Sequence, residues 1–221
     1  MKFYNITQSG KEADIYIFGD ITSWPYDAHK SAGSIIKELQ ALDADVINVH
    51  IDSYGGSVKE GWGMYNALRE HKAKIRTYAD GFVASAALYP FLAGDERYAS
   101  PVSAFYLHQV MVGASGYAED LRAAADDADL MTDIGIQAFV DAAGMSKEKT
   151  LELMRQETWL KPEDALELGI CTAITKSGET QKFAQSVRQQ IIQKLTGRPE
   201  ERKDPGKPEN MNIFATMFAA K

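Results

Sequence analysis

The hydrophobic positions of the chain change period several times, and each change predicts an element. Residues 14–18 (DIYIF) read as a strand, closed by Gly19-Asp20. Ser23, Trp24 and Pro25 lead out of that turn. Ile35, Ile36, Leu39 and Leu42 then recur at three- and four-residue intervals, which predicts an amphipathic helix over about residues 27–42. Strand character returns at 45–51 (DVINVHI). The turn Ser53-Tyr54-Gly55-Gly56 leads into a second helix over about 58–71. Residues 74–78 form another strand, Gly81 opens a segment of small residues reaching Gly94, and 104–107 (AFYL) is a further apolar strand.

Residues 118–131 are rich in Ala, Asp and Leu and favour helix. The helical pattern resumes through Phe139 and again over 146–154. Lys161-Pro162-Glu163-Asp164 has proline early and acids in the first turn, which marks a helix start. That helix stops at Gly169, and a last strand-like run covers 170–175. Strands alternating with helices predict an α/β fold, with a mainly parallel sheet and helical crossovers, over residues 1–176. Beyond that point an exposed helix is expected at 177–195. A charged, Pro- and Gly-rich linker then ends in an apolar coda, together 196–221.

Composition narrows the field. With 221 residues, 45% hydrophobic and 25% charged, the chain suits one globular domain with an appendage. A formal net charge of −7, with the 24 Lys and Arg dispersed, leaves no basic face for nucleic acid. The single cysteine, Cys171, excludes an intramolecular disulfide and a multi-cysteine zinc site, and its apolar surroundings predict a buried thiol. Residues 1–7 lack a signal-peptide pattern. The most apolar stretch, 82–93, is too short to span a bilayer and contains Pro90. A cytoplasmic location without membrane attachment is the expectation.

Three segments could carry chemistry. The Gly55-Gly56 turn between strand and helix presents backbone N–H groups that can hold a phosphate or an oxyanion, although a tight turn alone also explains it. Neither a P-loop nor a dinucleotide fingerprint follows. Ser85, among alanines, reads either as a small helix residue or as a nucleophile whose neighbour Ala86 offers an oxyanion N–H. His29 and His71 fall on polar helix positions and His50 lies mid-strand, whereas His108 ends a strand, where a rigid element can aim a general base. Among 31 Asp and Glu, abundance does not choose an orienting acid. No paired-histidine or calcium-loop spacing is present, so neither a metal nor a cofactor is expected.

Taken in order, these segments resemble the Clp proteolytic-subunit family over roughly residues 12–176. Ile51-Asp52-Ser53-Tyr54-Gly55-Gly56 is similar to its N-S-P-G-G turn, Gly81-Phe82-Val83-Ala84-Ser85 to its nucleophile segment, and Pro101 through His108-Gln109 to the segment of its general base. Glu157-Thr158-Trp159-Leu160 resembles the stretch that carries the third triad member. The resemblance implies a ClpP/crotonase-like fold, with a protruding handle at about 118–154. It also implies a triad of Ser85, His108 and Glu157, with Gly55, Gly56 and Ala86 around the oxyanion. Peptide substrates would bind as an added strand inside homo-oligomeric rings, usually of seven subunits and stacked, with an AAA+ unfoldase as a possible partner. Tyr54 stands for the family's usual proline, Ala86 for its methionine, Val110 for the proline after His-Gln, and Glu157 for its aspartate.

The short N-terminal segment and the C-terminal coda resemble the head-maturation proteases of tailed phages, which process capsid or scaffold proteins without an ATPase. That is the expected role. The alternatives are the proteolytic subunit of an ATP-dependent Clp protease, a non-catalytic Clp-like assembly protein and an acyl-CoA enzyme of the crotonase fold.

Overall fold

The computed structural model describes residues 4–22 and 32–175. The first residues of the helix expected at 27–42, together with His29, lie outside the described residues. So do the extension expected at 177–195 and the linker and coda at 196–221.

The chain opens with a hairpin of β1 (Tyr4–Ser9) and β2 (Glu12–Phe18), followed by α1 (Ala32–Gln40), β3 (Val46–Ser53) and α2 (Val58–Glu70). A long strand β4 (Lys74–Ala84) runs straight into a 3-10 turn (Ser85–Ala87) and the short α3 (Leu88–Leu92). Then come β5 (Glu96–Ala99), β6 (Ala104–Leu107), α4 (Ala118–Ala143), α5 (Lys147–Arg155), β7 (Thr158–Leu160), α6 (Pro162–Glu167) and β8 (Ala173–Ile174). The sheet order is β1-β2-β3-β4-β5-β8, and β6 pairs with both β4 and β7. Pairing is parallel except in the β1–β2 and β6–β7 ladders.

Alternation along the central strands sorts the two sheet faces. Ile15, Ile17 and Val49 meet Ile35, Leu39, Met64 and Leu68 of α1 and α2, and this contact forms the main core. On the opposite face Tyr16, His50, Tyr78 and Tyr98, one from each of four neighbouring strands, stack ring on ring at 5.1, 4.6 and 5.1 Å. His50 is buried there and its Nδ1 lies 2.8 Å from Asp80 Oδ2, so it is a core histidine held by hydrogen bonding.

Strand β4 is the element that builds the site. Its first part pairs with β5 through Arg76–Ala79, and its last part pairs with β6 through Phe82–Ala84. The β3–β4 register shifts between Ile51 and Ser53, and Asp52 Oδ1 accepts the Phe82 N–H at 2.9 Å across that irregularity. Strand β4 therefore outruns its expected end at residue 78 and delivers Ser85 beyond the sheet edge.

A buried arginine locks the far side. Arg97, 7% exposed, donates to the carbonyls of Gly94, Ala142, Gly169 and Ile170 at 2.7–3.0 Å. Burial lowers its pKa from the ordinary guanidinium value, and the four carbonyls, one from the last turn of α4, compensate the desolvated cation. Arg97→Met would leave these buried acceptors without a donor. The expected cost is about 3–5 kcal/mol, read as a fall of about 10 °C in melting temperature. An unchanged melting temperature would contradict the role.

Cys171 is buried, and burial pushes its thiol up to about 11. Among the described residues no helix is long and apolar enough to cross a membrane, and no cluster of His, Cys, Asp or Glu could hold a metal ion.

Candidate active site

The nucleophile candidate owes its position to a strained backbone. Ser85 begins the 3-10 turn with φ 55°, a left-handed conformation that few non-glycine residues adopt. Among the described residues only one other non-glycine shares it, Glu157 at φ 51°. Strain of this kind persists where surrounding structure over-determines it. Here β4 enters in a β conformation at Ala84, and Ala86 and Ala87 are fully buried beyond the turn. The half-buried Ser85 hydroxyl is left facing a cleft.

His108 reaches the same cleft from the end of β6. Its Nε2 lies 2.6 Å from Ser85 Oγ, within hydrogen-bond distance. The segment after it is anchored by the Val110 N–H, which donates to Thr132 Oγ1 of α4 at 3.0 Å. The imidazole ring also leans on Tyr106, with centroids 5.4 Å apart.

The glycine turn lies directly against the nucleophile. A Cβ on Gly55 would stand 2.5 Å from the Ala84 carbonyl, 2.7 Å from Ser85 Cβ and 2.8 Å from the Ala86 nitrogen, so only glycine fits. Its N–H donates to Ser53 Oγ at 3.0 Å, and the Ser53 hydroxyl donates in turn to Gly19 O at 2.6 Å. The Ile21 N–H donates to Gly55 O at 2.7 Å, and the Ser57 N–H donates to Ile21 O at 2.8 Å. These bonds leave Gly56 (φ 134°), whose N–H meets no acceptor among the described residues and whose backbone lines the cleft. Ala86, second in the 3-10 turn, has no intrahelical acceptor for its N–H. Of the three backbone donors expected around the oxyanion, the Gly55 N–H is taken by Ser53 Oγ, and those of Gly56 and Ala86 meet no acceptor among the described residues.

The β6–β7 register places the acid candidate. Phe105 faces Leu160, Tyr106 faces Trp159 and Leu107 faces Thr158, so the next pair in sequence is His108 and Glu157. The Glu157 side chain is exposed, and its carboxylate lies beside the Tyr106 phenol. Burial first, then that carboxylate, raises the phenol pKa above its ordinary value. Among the described residues the one hydrogen bond to the His108 ring is that from Ser85.

The cleft encloses about 360 Å³. Val58, Leu88, Phe139 and Met154 line it, together with Tyr54, Tyr106 and Trp159. A paired hydroxyl and imidazole, N–H groups without a protein acceptor among the described residues and an apolar pocket are parts that acyl transfer uses.

Residues 6–178 match the Clp protease family. The chain belongs to it.

Relatives agree along most of their length. The ATP-dependent Clp protease proteolytic subunit of Paracoccus denitrificans is 30% identical over 170 residues, which cover 75% of this chain and 82% of that protein. Proteolytic subunit 3 of Rhizobium meliloti is 28% identical over 169 residues, covering 76% and 85%. Proteolytic subunit 1 of Prochlorococcus marinus is 32% identical over 146 residues, covering 63% and 74%. A ClpP1 variant from Listeria monocytogenes has the same fold, with a TM-score of 0.64 and 23% identity, covering 75% of this chain and 92% of that one. The ClpP-like α/β fold read from the sequence is thus present, and the chain is a serine-type peptidase of the Clp family.

Several participants escaped the sequence reading. Ser53, which fastens the Clp turn, looked like one more turn residue. Arg97 carried no signal beyond its charge. Tyr54, Phe82, Tyr106 and Trp159 each lie within three residues of a motif residue. That shared placement was the available clue to them.

Proposed function

We propose that this chain is the proteolytic subunit of a Clp-type protease and that Ser85 and His108 hydrolyse peptide bonds in unfolded polypeptides. The observation that carries the reading is the 2.6 Å contact between His108 Nε2 and the left-handed Ser85. With its proton on Nδ1, the imidazole accepts the Ser85 proton at Nε2 as Oγ attacks the scissile carbonyl. The oxyanion receives the Gly56 and Ala86 N–H groups, which wait in place before the charge develops. Collapse of the tetrahedral intermediate expels the amine, which takes the proton from Nε2. Water, deprotonated by the same nitrogen, then attacks the ester and frees Ser85.

Substrate enters as extended backbone between the Gly56–Ser57 turn and the chain after His108, with an apolar side chain in the pocket of Val58, Leu88, Phe139 and Met154. Such recognition reads main chain first and side chains second. An acyl-CoA enzyme of the same fold would need the oxyanion turn but not a serine–imidazole pair.

Glu157 is assigned as the orienting acid, because it and His108 are the residues next beyond the last pair of the β6–β7 ladder, Leu107 and Thr158. An exposed carboxylate holds an imidazole less firmly than a buried one. Glu157→Gln is therefore expected to lower kcat by about ten- to a hundred-fold, well short of the loss seen for a buried triad acid. A kcat equal to wild type would show that Ser85 and His108 work as a dyad.

Leu121, Leu130 and Ile134 stand exposed on α4. They supply the apolar contacts for a homo-oligomeric ring, with an AAA+ unfoldase as the ATP-dependent partner. The relatives described above are named proteolytic subunits of ATP-dependent Clp proteases, which supports that role over the head-maturation role expected from the sequence. The test compares substrates. The protein should assemble into a ring-sized oligomer, cleave an unfolded polypeptide unaided, and degrade a stably folded one only with a Clp-type ATPase and ATP. Specific processing of a folded substrate without the ATPase would overturn the assignment in favour of a maturation protease.

A further inference from the structure

Four aromatic side chains form a continuous strip leading away from the catalytic groups, and three of them are conspicuously exposed: Tyr54 at 63%, Phe82 at 37% and Trp159 at 52%. Tyr54 stacks on Phe82 at 4.9 Å, Phe82 meets Trp159 edge-on at 5.7 Å, and Trp159 stacks on Tyr106 at 4.5 Å. Tyr106 then leans on His108 at 5.4 Å. Contiguous exposed rings of this kind mark a surface meant to be covered.

The backbone ties every ring to a site residue. Tyr54 immediately precedes Gly55, Phe82 lies three residues before Ser85, and Trp159 lies two after Glu157. Tyr106 lies two residues before His108 near the end of β6, on the same side of the chain by the two-residue strand period. The strip also borders the cleft, since Tyr54, Tyr106 and Trp159 line it. Val58, Leu88, Phe139 and Met154 line the same cleft, whereas Phe82 of the strip is not among the residues that line it.

We propose that this strip is a second specificity subsite, which selects an aromatic side chain of the substrate at a position other than the one filling the aliphatic pocket. The inference rests on the peptidase reading above and adds the side-chain class it prefers. Flat rings stack on such a surface with more than their buried area, because edge-to-face and offset contacts match their quadrupoles. Distance limits the position. The two ring-to-ring steps from Trp159 to His108, 4.5 and 5.4 Å, correspond to about three residues of extended chain at ~3.3 Å each.

The experiment is a peptide scan with the oligomeric wild-type protein. Leucine is held at the position that fills the pocket of Val58, Leu88 and Met154, and Phe, Leu or Ala is placed in turn at each of the other positions within three residues of the scissile bond. One position should favour Phe over Leu about five-fold in kcat/KM, and over Ala about ten-fold or more. Trp159→Ala should bring the Phe/Leu ratio there to about one, chiefly through KM, whereas Trp159→Phe should retain a preference. Phe82→Ala is the second variant and should shrink the same ratio.

A flat scan overturns the inference, and so does a ratio that survives both alanine substitutions. Loss of the oligomer in Trp159→Ala with an unchanged ratio would reassign the strip to subunit contact. A protein that cleaves none of the peptides overturns the peptidase reading and this inference with it, whereas cleavage with a flat profile overturns this inference alone.

Discussion

Replacing Ser85 with alanine is expected to lower kcat by roughly four to six orders of magnitude while leaving the oligomer and its melting temperature close to wild type. The size follows from what the hydroxyl does. In the proposed mechanism it forms the acyl-enzyme, and it lies 2.6 Å from His108 Nε2. Stability should change little, because serine and alanine incur the same left-handed strain at φ 55° and the hydroxyl faces the cleft rather than the core. Turnover within ten-fold of wild type would remove Ser85 from the mechanism.

Gly55→Ala carries the second largest expectation, although the Gly55 N–H is already engaged by Ser53 Oγ. Its Cβ would fall within 2.8 Å of Ala84 O, Ser85 Cβ and the Ala86 nitrogen, at a φ of 93° that side chains resist. Ser85 Cβ and the Ala86 nitrogen belong to the 3-10 turn, and the Ala86 N–H is one of the two proposed oxyanion donors. The turn must therefore shift, and small misplacements of preorganised donors are costly. A loss in kcat of about a hundred- to a thousand-fold is expected, with a smaller change in KM and a fall in stability of about 2–4 kcal/mol. A variant that loses stability but keeps its kcat would mean that Gly55 supports the fold alone.

The parts of this architecture that sequence could reveal are those with strong local periodicity. Strands β2 and β3 and helix α2 were legible because each carries its own apolar pattern. Strand β1 was not: in YNITQS only Tyr4 is buried, so an edge strand with one anchored residue leaves almost no hydrophobic signal. Strand β7 is three residues long, too short for any period, and exists because it pairs with β6. The continuation of β4 past Asp80 was hidden for another reason. A strand that changes partner from β5 to β6 is defined by its neighbours, not by its own residues.

The site divides in the same way. Ser85, His108 and the glycine pair were visible as motifs, and the structure brings Ser85, His108 and Gly56 to one cleft, with Gly55 packed against the Ser85 turn. The assignment of individual N–H groups was not visible. Nothing in Ser53-Tyr54-Gly55-Gly56 says that the Ser53 hydroxyl occupies the Gly55 N–H; that pairing emerges only with the hydrogen bonds to Gly19 and Ile21, and it is the reason Gly56 is proposed as the oxyanion donor. The direction of the Glu157 carboxylate, toward the Tyr106 phenol, is likewise set by a turn at φ 51° that local sequence does not announce.

The central claim is that Ser85 is a nucleophile activated by His108. A fluorophosphonate reacts with such a serine and with few unactivated hydroxyls, so the direct measurement is covalent labelling followed by mapping of the modified peptide. The account predicts a single adduct on Ser85 in the wild-type oligomer, with the labelling rate reduced by roughly a thousand-fold or more in His108→Ala. Labelling elsewhere, or at Ser85 with a rate indifferent to His108, would contradict it.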